Sequence, residues 1–195
     1  MIFSMTGRTH DLAAFTTLTY FIATQHVPHM SLGTAVTAFA ANMIGGLMPD
    51  IDDATSDFWQ KIPAGSFFGK VLHPLIGHHR MISHSFVGMA IAGYLVHLLL
   101  DAMHHVLLVD MTVVWWALMI GYASHLVMDF ITKEGIPWFF PIPIRFGFPP
   151  FKFLRIRTGG PLEQFFIFPG LIAVNGYFIY VYYPVILMFV RGIGK

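Results

Sequence analysis

The chain has no cysteine among its 195 residues, which excludes disulfides and thiolate metal sites. Any bound metal must therefore be held by nitrogen and oxygen. Charge is scarce as well. Asp, Glu, Lys and Arg together make up 11% of the residues, against about a quarter in ordinary soluble domains. There is no basic run, and the formal net charge is only +1, so the composition lacks the footprint that nucleic-acid binding requires. What is abundant is apolar surface, at 56% of residues. A water-soluble fold of this size cannot bury so large an apolar share, so lipid must be the solvent for part of the chain. Histidine is the other surplus, with 11 copies in a chain that has few charges.

The expected architecture is all-α: a single membrane-embedded domain over residues 1–195, a polytopic bundle of about five apolar helices with interfacial loops. The apolar segments are Asp11–Val27, Ser31–Met48, Ser85–Leu100, Thr112–Ile131 and Phe165–Val190. The first three are near or below the usual spanning length of roughly 17–25 residues, and for the first two a buried helical hairpin is the competing reading. Arg8 before an apolar stretch superficially resembles a signal peptide, but there is no clear small-x-small cleavage site, and the segment reads as a retained first helix. Gly33, Ala41, Gly45 and Gly46 suit close helix–helix packing, and Pro169 and Pro184 are expected kinks in the last segment.

The distribution of basic residues sets an orientation. Lys61, Lys70 and Arg80 lie between the second and third segments, and Lys133, Arg145, Lys152, Arg155 and Arg157 between the fourth and fifth. The links near His29 and between Leu100 and Thr112 contain neither Lys nor Arg. Both basic connections and the N-terminus are thus expected at the cytoplasmic face. The tail, with Arg191 and Lys195, fits this less well and leaves room for a kinked or re-entrant last segment.

On that topology the chemistry collects at one end. His10 starts the first segment, and Asp50, Asp52 and Asp53 follow the second. His79 and His84 precede the third, His125 and Asp129 end the fourth, and Glu163 precedes the fifth. His125 and Asp129 are one helical turn apart on one face, inside an otherwise apolar span where ionisable groups need a partner or a polar cavity. A divalent cation would be such a partner. Zinc is the first expectation, with manganese, iron or magnesium as alternatives, and with one or more ions. Each element alone has a plainer reading. The His/Asp pair can be a buried hydrogen bond, PDIDD a cap-and-turn cluster after Pro49, and His84 a satisfied core histidine. Ser83 is the expected N-cap of the third segment. Their convergence favours metal. His97, Asp101, His104 and His105 belong to the opposite end and read as interfacial polar residues, while His26, His29, His73 and His78 read as link or loop positions. Trp115, Trp116 and Trp138 read as interfacial anchors or packing residues.

Three strings carry a family resemblance: PDID (Pro49–Asp52), HRMISHS (His79–Ser85) and GYASHLVMDFITKEGIPWFFP (Gly121–Pro141). With His10 and a later basic segment ending in Glu163, the chain resembles the YdjM-like family of LexA-binding, inner-membrane-associated metal-dependent hydrolases over nearly its whole length. Asp53 departs from the pattern, which has His after PDID. The resemblance implies a membrane-bound hydrolase and no particular substrate. The order of His10, Asp50, His84, His125 and Asp129 is also similar to the ligand order of zinc-dependent phospholipases C. The expected function is therefore metal-assisted hydrolysis of a phosphoester or related bond in a lipid or amphiphile. The expected metal ligands are His10, Asp50, His79, His84, His125 and Asp129. Asp52 or Glu163 would serve as general base or orient a ligating His. Arg80, Arg155 and Arg157 would bind an anionic headgroup, unless they are topology signals alone. Gly135–Phe153 would form a substrate-side lid at the interface. The alternative is a non-enzymatic metal-binding membrane protein: a transporter, a sensor or a partner-binding module. Transport would place ligands nearer the bilayer midplane.

Overall fold

The structure is a computed structural model that describes residues 7–25, 30–52, 56, 59 and 81–192. Its elements are α1 (Gly7–Thr24), α2 (Leu32–Leu47) with a 3-10 turn at Met48–Asp52, α3 (Phe86–Met103) and α4 (Met111–Phe130). After a long connection, a π-helical turn (Glu163–Ile167) leads into α5 (Phe168–Val181) and α6 (Tyr183–Gly192). No strand occurs among the described residues. Two isolated bridges, Thr132 with Ile156 and Ile136 with Phe146, fold the connection back under the end of α4.

Four helical stretches are long and apolar enough to cross a membrane: Leu32–Asp52, Phe86–Met103, Met111–Phe130 and Glu163–Val181. α1, for which a span and a buried hairpin helix are the competing readings, falls outside this group: Arg8, His10 and Asp11 in its first turns lower its hydropathy, and its threonines add to this. Those hydroxyls do not need water. Thr16 donates to the Leu12 carbonyl at 2.6 Å, Thr19 to Phe15 at 2.9 Å and Thr24 to Tyr20 at 2.8 Å, the back-bonding that lets a polar side chain sit on a helix. α1 is thus a packed member of the bundle, lying against α2, α4 and α5. The last apolar segment is also not one helix. Pro169 lacks the N–H that would complete an α-turn, and the π-helical turn absorbs that gap, with the Phe168 N–H bonding back to the Glu163 carbonyl. The chain breaks again at Tyr182, two residues before Pro184.

The centre of the molecule is the crossing of α2 and α4. A Cβ on Gly45 would lie 2.0 Å from the Leu118 carbonyl oxygen, and one on Gly121 would lie 2.1 Å from that of Asn42. Only glycine permits this approach. Asn42 fastens the crossing by donating from its amide to the Ala117 carbonyl at 3.0 Å. α3 and α5 lie at the periphery and leave large apolar side chains such as Leu95, Leu98, Ile172 and Val174 exposed, as lipid-facing helices do.

Candidate metal centre

Each residue of the centre is placed by a local device. The 3-10 turn after α2 extends that helix far enough to carry Asp50 and Asp52 back over the end of α4. His84 sits in the turn before α3, where Ser85, not Ser83, caps the helix. The Ser85 hydroxyl accepts from the Gly88 N–H at 3.1 Å and donates to the Ile82 carbonyl at 2.6 Å. The fully folded-in Tyr122 locks the turn onto α4 by donating to the Ser83 carbonyl at 2.6 Å. Ser83 is thereby released for another task. Its hydroxyl donates to Asp52 Oδ2 at 2.9 Å and lies 3.0 Å from His84 Nδ1. One hydroxyl has one proton, so it accepts from His84 Nδ1–H, which leaves a lone pair on His84 Nε2.

The same logic holds at His125. Its Nδ1 lies 2.7 Å from the Gly46 carbonyl oxygen, which can only accept. Nε2 is therefore the bare nitrogen. Both Nε2 atoms face carboxylate oxygens. His84 Nε2 lies 3.5 Å from Asp50 Oδ1 and 3.3 Å from Asp129 Oδ2, and His125 Nε2 lies 3.7 Å from each of the same two atoms. Tetrahedral donors at bonds of about 2.0–2.1 Å lie about 3.3–3.4 Å apart. The four His–Asp separations are close to that spacing before any ion draws the groups in. His10 completes the cluster, with Nε2 3.5 Å from Asp129 Oδ1.

Burial gives this arrangement its force. His84, His125 and Asp129 have no exposed side-chain surface, His10 has 1% and Asp50 13%. Among the described residues, His84 Nε2, His125 Nε2, Asp50 Oδ1 and both nitrogens of His10 are buried without a well-aligned hydrogen bond. Carboxylates taken this far from water require positive charge between them. In the metal-free protein a proton on His84 can supply it. Burial alone would push that imidazole down, but Asp129 and Asp50 outweigh burial and raise its pKa to about 9. A metal cation fills the same role, and the buried His/Asp groups are geometrically able to hold one.

The other expected site residues fall into place around this core. Asp52 is buried and reaches His84 through Ser83, which supports the orienting role over the proton-accepting one. Glu163 is also buried. It accepts from the Thr9 hydroxyl at 2.6 Å and from the Gly159 N–H at 2.7 Å, and so clamps the residue next to His10. Arg155 is buried, with its guanidinium donating to the carbonyls of Pro149 and Pro150 at 2.7 and 3.1 Å, so it serves the loop and is turned away from a headgroup role. Arg157 is exposed on the same connection. His79, Arg80 and Asp53 lie outside the described residues. The proposed lid is pinned at its base by paired hydrogen bonds between Ile136 and Phe146 at 2.8 and 2.9 Å, with Ile136 wholly buried. Between those residues it exposes Phe139, Ile142 and Ile144, and beyond them Phe148 and Phe151. The parts that Ser83, Gly46 and Thr9 play in the centre are not visible in the spacing, which gives Ser83 as a cap and Gly46 as a packing residue.

A helical bundle with membrane-spanning helices and a buried His/Asp centre able to hold a metal ion defines the class: a multi-pass membrane protein with a metal-competent site at one end. The chain belongs to the family of YdjM inner membrane proteins, whose model matches residues 5–192. It is 30% identical over 179 residues to the Bacillus subtilis (strain 168) protein named "Uncharacterized protein YvsG", a match covering 90% of this chain and 95% of that one. No solved structure matches it.

Proposed function

We propose that this protein is a membrane-bound metal-dependent hydrolase that cleaves a phosphoester or related bond of a lipid or amphiphilic substrate at the cytoplasmic face. The observation that carries this reading is the buried cluster of His10, Asp50, His84, His125 and Asp129 at the end of the bundle, whose groups are geometrically able to hold a metal ion. Two imidazoles and two carboxylates at this spacing favour zinc over magnesium, which prefers octahedral oxygen. Lys133, Arg145, Lys152 and Arg157 in the connection at the same end support the cytoplasmic orientation.

A bound divalent cation would lower the pKa of a water and polarise the substrate's oxygen. The chain's own residues do the positioning. Gly46 and Ser83 fix which imidazole nitrogens face the centre, and Asp52 holds Ser83. Asp50 is the cluster member with exposed surface, so water and the scissile group approach from its side. In the reaction, water adds to phosphorus, the bond to the leaving oxygen breaks, and a water proton ends on that oxygen. Arg157 offers a cation for the headgroup.

One feature favours a second reading, a non-enzymatic membrane protein with a structural ion. Four protein donors around one position make a closed site, whereas catalytic zinc keeps a place open. Purified protein separates the two. Metal analysis should find zinc in the wild type and lose it in His125→Ala. Phospholipid or polyprenyl-phosphate substrates should be cleaved only by metal-loaded protein. Activity that survives complete chelation would reject the hydrolase mechanism. Retained metal with no turnover across that panel would favour the structural ion.

A further inference from the structure

The three histidine rings of the centre differ in how they face one another. His84 and His125 have centroids 5.3 Å apart and planes inclined at 68°. Their planes intersect, so their in-plane lone pairs can meet at one ion. His10 and His125 are stacked, with centroids 3.8 Å apart and planes only 12° from parallel. An imidazole nitrogen donates in the plane of its ring, and nearly parallel planes at this separation do not meet within bonding reach. An ion midway between them would sit up to about 1.9 Å out of each plane, against a bond of about 2.0–2.1 Å. His10 and His125 therefore direct their Nε2 atoms at different positions.

The Asp129 carboxylate is divided the same way. Oδ2 faces His84 and His125 at 3.3 and 3.7 Å, while Oδ1 faces His10 at 3.5 Å. A carboxylate with each oxygen turned to a different histidine is placed to bridge. His10 itself is 1% exposed, and neither of its nitrogens has a well-aligned hydrogen bond among the described residues.

We propose that the centre is dinuclear: one divalent cation held by Asp50, His84, His125 and Asp129 Oδ2, and a second held by His10 and Asp129 Oδ1, with Asp129 as the bridge. This rests on the metal reading of the cluster. The first position is closed by protein donors. The second has fewer protein donors, which leaves coordination places for small ligands such as water.

The test counts ions on the full-length protein in detergent, stripped and then titrated with zinc under native mass spectrometry. The wild type should bind two ions and His10→Ala one. A second measurement needs no variant. Protein loaded with manganese(II) should give the spectrum of an exchange-coupled pair by electron paramagnetic resonance. A wild type that saturates at one zinc and shows an isolated manganese signal overturns the second site while leaving the first intact. No bound ion at all overturns the metal reading with it. A His10→Ala variant that still binds two ions also overturns the assignment.

Discussion

The His125 Nδ1–H donates across the α2–α4 crossing to the carbonyl of Gly46 at 2.7 Å. This bond exists because the two backbones touch, and they touch because Gly45 and Gly121 have no side chain. The orientation of a candidate metal ligand is therefore set by helix packing one turn away. Gly121→Ala should spread the crossing, since its Cβ would meet the Asn42 carbonyl oxygen at 2.1 Å. A loss of about 1–3 kcal/mol in stability is expected from overpacking, with weaker zinc binding as His125 loses its guide. Gly176→Ala in α5 is the control. No atom lies within 4 Å of its new methyl, so a gain of up to about 1 kcal/mol is expected from helix propensity. Thermal unfolding in detergent with and without zinc reads both.

Ser83 connects Asp52 to His84, so its hydroxyl should matter to the metal without touching it. Ser83→Ala should weaken zinc binding by about 10–100-fold, the range for partners that orient a ligand, while leaving stoichiometry unchanged. Competition with a chromophoric chelator measures it. An unchanged affinity would show that His84 is held in place by packing alone.

The placement of His10, Asp50, His84, His125 and Asp129 at one end was legible because each abuts the end of an apolar segment, and antiparallel helices bring those ends together. The rest depended on backbone paths. Ser83 and Ser85 stand equally well before the third apolar run, and the Tyr122 bond to the Ser83 carbonyl decides that Ser85 caps. The apolar residues of α1 fit a span or a buried hairpin equally; the inward bonds of its threonines and its packing against α2, α4 and α5 are visible only in the fold. Arg155 looked like a headgroup ligand because nothing in the sequence shows that the Pro149 and Pro150 carbonyls converge on it.

Proton and metal compete at His84. Its pKa is raised to about 9 against the ordinary 6.5 by Asp129 and Asp50, which outweigh burial. Below pH 9 a metal must displace that proton, so apparent affinity should fall by about tenfold per pH unit for this group alone. Between pH 8 and pH 6 at least a hundredfold loss is expected on that slope. The metal-free protein runs the other way. The stability that His84 contributes is fully present below pH 6.5 and lost as pH rises through about 9. Zinc titrations and melting curves across this window check both signs, and a flat affinity would mean that His84 does not bind the metal.

Glu163 offers a test between clamp and base. Its two oxygens accept from Thr9 and from the Gly159 N–H at 2.6 and 2.7 Å, joining the start of α1 to the turn before α5. In Glu163→Gln one acceptor becomes an amide donor. Thr9 can rotate its hydroxyl to suit, but the Gly159 N–H cannot, and the charge that strengthens both bonds is gone. A loss of about 1–3 kcal/mol is expected, with metal stoichiometry retained and the melting curve shifted down. Thr9→Val should reproduce part of this loss, because it leaves Glu163 Oε1 buried without the hydroxyl. If Glu163→Gln instead melts like the wild type, binds metal normally and abolishes hydrolysis, Glu163 acts on the reacting atoms and the clamp is incidental.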